Sequence, residues 1–471
     1  MPSLEMAYPS QSPFFSYFQS VLNSCEVQVI DATALNLSDR QILAKIENFS
    51  PHVIGITTNI LTSAKSVTLA NLIKSSHSDI PVILGGPWAT VEYESLLRKK
   101  TADFIIIGEG EIAFEQFILT FQTDKNYQSI AGLAFLNGNE QILLKKSEKI
   151  QNLDAVPLPA WHLFPPPSRY FFNTRKKTVY PIMTSRGCPF DCNHCTKVIH
   201  GSRVRFRNVT SVLAEIKQLK SDYGLEELLI IDDNFNVNKK RAADILQGII
   251  EQKLNIYINF SNGIRADTLS DDFLKKLKQA GAYKLAIGVE SGNQEVVKMI
   301  GKNLNLELVE KAARKIRKLN FIFNAYFMIG HPFDTKATIE DTINFSLKIN
   351  PDYPHFFKAI AFPGTLLYEQ VCQKGRFINN NRNLDRGYHN SAAFFETQEL
   401  KARDISYYYK MAYRKFYMRP EKILSLLLKI KTWHEFTYFL NFAVIKLLDN
   451  IREIISITNL KQRKQQEPEH R

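Results

Sequence analysis

Over the first 120 residues, short runs of aliphatic and β-branched residues alternate with stretches whose apolar positions return every three or four residues. The runs VQVIDA (27–32), HVIGITT (52–58), PVILGGP (81–87) and DFIIIGEGE (103–111) are bounded by Gly or Asp and read as strands. Between them, LSDRQILAKIENF and SAKSVTLANLIKSS have helical spacing, with Ser38 and Ser63 as caps. Strand, helix, strand, helix predicts a parallel, doubly wound α/β sheet. Its ligand crevice lies past the strand C-termini, where Thr57, Thr58, Gly85, Gly86, Gly108 and Glu109 fall.

From 126 to 177 the periodicity dissolves, and LDAVPLPAWHLFPPPSRY is too rich in proline for helix, which predicts a linker or docking strap. A second series then begins, with strands at 178–185, 225–232, 255–261, 283–290, 324–330 and 353–361 and amphipathic helical patterns between them. Six strands with right-handed crossovers make three quarters of a (β/α)8 barrel, whose chemistry belongs at the strand C-termini. The expected domains are therefore 1–125, a linker at 126–177, a partial barrel at 178–370, and a helical region rich in aromatic, basic and leucine residues at 371–471.

The 471 residues contain five cysteines, too few and too clustered for a disulfide framework, and a reducing, cytoplasmic location fits them. Neither a secretory signal nor a run long and apolar enough for a membrane span is visible. Of the net charge of +13, nine surplus positive charges fall between Arg169 and Lys220, where eleven basic residues face only Asp191 and Glu215. An electropositive mouth for an anionic ligand, or simply a solvated face, would account for them. Nucleic-acid binding follows from that stretch alone and is not expected.

In SRGCPFDCNHCTK, Cys188, Cys192 and Cys195 leave the first barrel strand together. Three thiolates in so short a loop can hold three corners of a four-iron cluster and leave one iron open. Zinc, with His194 as a fourth ligand, and chance clustering of buried thiols remain alternatives.

CxxxCxxC after the first strand of a partial barrel resembles the radical S-adenosylmethionine (SAM) superfamily over residues 178–370. The resemblance implies that Cys188, Cys192 and Cys195 ligate a 4Fe-4S cluster whose open iron chelates SAM. An electron from the cluster would then split the sulfonium into methionine and a 5'-deoxyadenosyl radical. It also implies SAM contacts from Asp232 and Asp233 in IDDNF, from Glu290 and Ser291 in GVESG, and from Ile329 and Gly330 in FMIGHP. Arg265 in SNGIRAD is placed to pair with a carboxylate or phosphate, or to serve a structural ion pair.

VIDA, PVILGGPWAT and ADFIIIGEGE are similar to the Rossmann-like cobalamin (B12)-binding domains that precede the barrel in one branch of that superfamily. Cobalamin is thus a third expected cofactor, with Gly85, Gly86 and Gly108 permitting approach of the corrin. D-x-H-x-x-G is lacking, since Ser50 stands where its aspartate would precede His52, which implies cobalamin without a protein imidazole on cobalt. PSLEMAY resembles a segment that in the branch follows an apolar strand, so either the start lies upstream or the sheet lacks its first strand. The expected function is cobalamin-dependent methyl transfer to an unactivated carbon or phosphorus centre, with one SAM consumed for the radical and another to recharge cobalt. Ring formation or oxidation of a lipid or tetrapyrrole-like substrate is the alternative, since AYRKFYMRP resembles tails of such relatives, and a non-catalytic cluster-bearing module is a third. The expected partners are an anionic or lipid-like small molecule and a flavodoxin- or ferredoxin-type electron donor.

Overall fold

The computed structural model describes residues 25–123, 126–170, 174–378 and 393–428, with isolated positions 433, 436, 437 and 440 beyond. The expected readings of PSLEMAY and of the far C-terminal tail lie outside the described residues.

The front sheet has five strands in the order β1 (Ile54–Thr57), β2 (Val82–Gly85), β3 (Phe104–Ile106), β4 (Leu133–Leu136) and β5 (Ile142–Leu144). The first three are parallel and the last two antiparallel. Helices α1 (Asp39–Phe49), α2 (Ser63–Ser76), α3 (Pro87–Arg98) and α4 (Glu111–Phe121) complete the domain. Ser38 and Gln41 close a capping box on α1, which buries Ile42 and Ile46 against the sheet. Thr62, not Ser63, is the N-cap of α2, and the Ser63 hydroxyl donates instead to the Ile60 carbonyl.

Two expectations fail here. Residues 27–31 form no ladder, because Asp31 turns the chain by accepting from Ala34 N, 3.0 Å away. Conversely, 133–144 is a hairpin inside the stretch read as linker, turned by Asn137, whose side chain accepts from Asn139 N and Gln141 N. The Asn137–Gly138 pair was the available signal for it.

All six expected barrel strands form: β6 (Val179–Ile182), β9 (Glu227–Ile230), β10 (Tyr257–Phe260), β11 (Ala282–Glu290), β12 (Ile322–Ile329) and β13 (Tyr353–Lys358), joined in that order into one parallel sheet. A small hairpin of β7 (Ser185–Arg186) and β8 (Arg205–Phe206) follows β6. The crossovers carry α5 (Val209–Tyr223), α6 (Lys239–Glu251), α7 (Asp271–Gln279), α8 (Gln294–Met299), α9 (Leu306–Lys318) and α10 (Lys336–Ile349). The six-residue α8 was not expected, being too short to show a period.

One continuous core lies between these helices and the outer faces of the strands, including Ile182, Ile230, Phe260, Ile287, Phe327 and Phe356. Each such buried side chain contributes about 1.5–3 kcal/mol. After α11 (Leu366–Lys374) and the short pair β14 (Arg376–Phe377) and β15 (Phe395–Glu396), α12 (Ala402–Tyr417) packs on this outer layer and α13 (Pro420–Leu427) follows. The Tyr413 hydroxyl serves the exposed edge of β13, accepting from Phe356 N and donating to Phe356 O. AYRKFYMRP therefore closes the outside of the barrel edge. Among the described residues no helix is long and apolar enough to cross a membrane.

Candidate functional site

The loop that carries the three thiols is fixed at its base and crown. At the base, β7 and β8 pair Ser185 with Phe206 and Arg186 with Arg205. Gly187, at φ +96°, then turns the chain where a Cβ would lie 2.5 Å from the Arg203 carbonyl. Cys188 N donates to Gly201 O, and Cys195 N donates to Cys192 O.

At the crown, buried Asn193 ties the loop to three other elements. Its N–H donates to Ile300 O at 2.9 Å and its carbonyl accepts from Leu367 N. Its side chain bonds Gln370 at 2.8 Å and His331 Nε2 at 3.0 Å. Sequence reasoning missed Asn193, because its partners lie more than a hundred residues away in the chain.

Cys192 and Cys195 share a hydrogen bond. Donation from Cys195 draws the Cys192 thiol below its usual range against the effect of burial, and Lys302 helps; the same bond, with burial, pushes the Cys195 thiol up. Burial also raises the Cys188 thiol. Lys302 Nζ lies 2.7 Å from Glu290 Oε1. Burial disfavours the charge of Lys302, but Glu290 and the nearby cysteines outweigh it and raise its pKa. Glu290 ends β11 in a left-handed conformation at φ +66°. Gly288 leaves room for the pair, since a Cβ there would meet Glu290 Oε1 at 2.6 Å and Lys302 Nζ at 2.7 Å. Lys302 had no place in the sequence reading.

Several residues expected to contact SAM are already engaged. Asp232 accepts from Thr184 N and Oγ1 at 2.6 Å each and from Ser185 Oγ at 2.5 Å, so it locks two barrel strand ends together. Asp233 accepts from Gly187 N at the start of the cysteine loop. Arg265 is bonded to Asp267 and to the carbonyls of Lys302 and Asn303, and stacks over Phe190 at 3.8 Å. It is thereby a brace between the loop and the Lys302 turn. Ser291 bonds Thr342, and Ile329 is core. Gly330 (φ +85°) donates to Asp334, and its absent Cβ leaves room for Ile405.

In the front domain, Thr58 is similarly engaged, its hydroxyl donating to Gly85 O and accepting from Ala89 N. Gly86 (φ +96°) is required because a Cβ would collide with the Thr58 carbonyl, a contact inside the protein. Gly108 N donates to Thr90 Oγ1, while Thr57 is half-buried at the end of β1. The strand ends nevertheless face the barrel: Ile60 packs against the apolar cluster that includes Ala359, Ala361 and Phe394, and Val91 lies beside Gly364.

Glu109 departs furthest from expectation. It is wholly buried and bound by the barrel: Arg205 reaches both its oxygens at 2.7 Å, His200 Nδ1 lies at 3.0 Å and Arg186 at 3.3 Å. It also accepts from Ile150 N. Burial disfavours its charge, but the His200 and Arg205 bonds and the Arg186 charge prevail and hold its carboxyl well below the usual range. Glu111 takes the other arm of Arg186 at 2.5 Å. Arg207 pairs with Glu215, so three of the eleven basic residues counted near the thiols neutralise buried acids.

The radical SAM superfamily model matches residues 182–346, and the B12 binding domain model matches residues 16–118. The chain thus carries a radical SAM domain preceded by a B12-binding domain. It is similar to an uncharacterized methyltransferase of Pyrococcus horikoshii, 29% identical over 405 residues that cover 85% of this chain and 86% of that one. It is also similar to the anaerobic magnesium-protoporphyrin IX monomethyl ester cyclase of Rubrivivax gelatinosus, 24% identical over 74% of this chain but spanning only 63% of that protein. The fold resembles that of the radical SAM methyltransferase TsrM from Kitasatospora setae, solved with cobalamin and a 4Fe-4S cluster. There the TM-score is 0.64 and the identity 15%, over 78% of this chain and 76% of that one.

The cofactors of this branch are a 4Fe-4S cluster, SAM and cobalamin, and three free thiols on one loop suit the first of them. Among the described residues no three His, Cys, Asp or Glu side chains gather as a single ion would require. Within the thiol loop His194 Nδ1, and beside it Nδ1 of His331, whose other ring nitrogen bonds Asn193, are buried without a hydrogen-bond partner.

Proposed function

We propose that the protein is a cobalamin-dependent radical SAM methyltransferase acting on a small molecule, with Cys188, Cys192 and Cys195 as the cluster ligands. The observation that carries this reading is the position of the thiol loop, at the barrel strand C-termini, clamped to the strand ends of a B12-type sheet. Once bound, the cofactors supply a 5'-deoxyadenosyl radical from reductive SAM cleavage and a transferable methyl group on cobalt.

The chain's own residues orient and balance charge. Lys302 sets a positive charge beside Cys192 and Cys195, which stabilises thiolates in a low-dielectric site. Glu290 holds that ammonium in place and, at the strand end, is the acidic group we assign to the SAM ribose. Asp232, Asp233 and Arg265 act on the site through the loop they brace. A reducing, cytoplasmic compartment suits three thiols that must remain unpaired, and all five cysteines are free.

For the substrate, two features support an anionic or lipid-like molecule with an apolar body. Phe357 is 39% exposed on the barrel's inner side, with ring contacts to half-buried Tyr326 and His355. Arg203 is exposed on the thiol loop. The electron donor we expect is a flavodoxin or ferredoxin.

The test is anaerobic reconstitution with iron, sulfide and cobalamin, followed by reductant and SAM. Methyl transfer requires both 5'-deoxyadenosine and S-adenosylhomocysteine. 5'-Deoxyadenosine alone favours the cyclase-type reading that the Rubrivivax relative suggests. A stable cluster that yields neither product overturns both.

A further inference from the structure

Arg186 and Arg205 stand directly opposite each other in the β7–β8 ladder, and both are buried. Like charges facing across a strand pair repel, and burial removes the water that would screen them. The hairpin at the base of the thiol loop therefore needs an anion between its arginines, and that anion comes from the other domain: Glu109, 0% exposed, with Glu111 on the far arm of Arg186. The sequence separations of 75 and 96 residues show that nothing local enforces this contact.

On the front side the Glu109 turn is stiff. Gly108 at φ +79° is tied to Thr90 of α3, the helix that begins at the end of β2. On the barrel side Arg186 is separated from Cys188 by Gly187 alone, and His200 sits beside Gly201, whose carbonyl accepts from Cys188 N. The chain leaving the front sheet reinforces the junction, since Lys149 Nζ reaches the carbonyls of Val198 and Ile199 in the thiol loop.

We propose that Glu109 is a positioning residue that fixes the distance between the corrin and the iron-sulfur cluster, coupling the two cofactor sites mechanically through one buried carboxylate. This rests on the two-cofactor reading above. The carboxylate is taken up by Arg205, His200, Arg186 and Ile150 N, and acts by holding the hairpin from which Cys188 departs against the turn that ends β3.

The test uses the full chain loaded with reduced cluster and cob(II)alamin, two paramagnets whose dipolar interaction reports their separation in pulsed electron paramagnetic resonance. The wild type is expected to give one narrow distance distribution. E109Q, isosteric but uncharged, should keep its iron and corrin content yet broaden that distribution at least twofold. E111Q, which removes an acid with a single arginine partner, should broaden it less. Should E109Q fail to fold, H200A removes one bond from the same carboxylate and is expected to broaden the distribution in the same sense.

An unaltered distribution in folded E109Q, or in H200A if E109Q does not fold, overturns the proposal. If the wild type retains no cobalamin, the two-cofactor reading fails instead. Hydrogen exchange then still decides whether the latch exists: amides of 186–207 should exchange at least tenfold faster in E109Q, or in H200A where that variant stands in, and equal rates rule it out.

Discussion

The strand ends of the barrel and of the front sheet each carry buried acids, but they use them differently. In the barrel, Asp232 finds its donors in Thr184 and Ser185, at the neighbouring strand end of its own domain. In the front sheet, Glu109 and Glu111 find Arg186, His200 and Arg205 in the other domain. The first arrangement makes a domain rigid, and the second makes two domains into one site. Apolar contact joins them too, through Ile60 on the cluster around Ala359, Ala361 and Phe394, but it is non-directional and cannot set the angle at which the sheet meets the thiol loop. A bidentate arginine pair can.

The comparison breaks first at the thiols. C188A, C192A or C195A should abolish iron and acid-labile sulfide after anaerobic reconstitution while leaving the far-ultraviolet circular dichroism unchanged; metal content that survives all three substitutions removes the cluster from the account.

Next in size is E109A, which leaves Arg205 and Arg186 buried without their shared anion and should cost about 3–5 kcal/mol. Because the acid serves both domains, denaturant unfolding should split into two transitions. A single transition at the wild-type midpoint would contradict the interdomain role.

D232A should cost less, about 1–3 kcal/mol for the stranded donors of Thr184 and Ser185, and should move the barrel transition alone. Chemical denaturation followed by fluorescence separates these two outcomes.

The smallest effect concerns Lys358 at the end of the edge strand, 7% exposed, against the rings of Phe394 and Tyr409. Burial, with Lys410 nearby, brings its pKa down to about 8 from an ordinary 10.5. Between those values the unfolded chain binds more protons than the folded one, so stability rises with pH across that window. K358M should therefore be more stable than wild type below pH 8, with the gap in melting temperature closing toward pH 10.5. A gap independent of pH would show that the ammonium is not penalised.

How far the site could be read beforehand follows from which interactions are local. The six barrel strands were legible because each is an apolar run flanked by an amphipathic helix, and the thiol trio because its three cysteines lie within eight residues. Asn193 was invisible, since its partners lie in other crossovers, and Lys302 because the turn that returns it to Glu290, twelve residues earlier, has no period to show it. The acid of GEGE was visible but misassigned: a carboxylate at a strand end looks the same whether a ligand or an arginine awaits it. Asn137–Gly138 was a hairpin signal overlooked inside a proline-rich context.

By itself, the sequence determined the alternation of strand and helix in the barrel, the faces those elements bury and the spacing of the three thiols, because hydrophobic period and motif spacing act between near neighbours. Only the tertiary structure decided which charged groups face a cofactor and which face one another. That choice is made by burial: once water is excluded, Arg186 and Arg205 must meet an anion, and the acids within reach belong to a strand end 75 to 96 residues earlier.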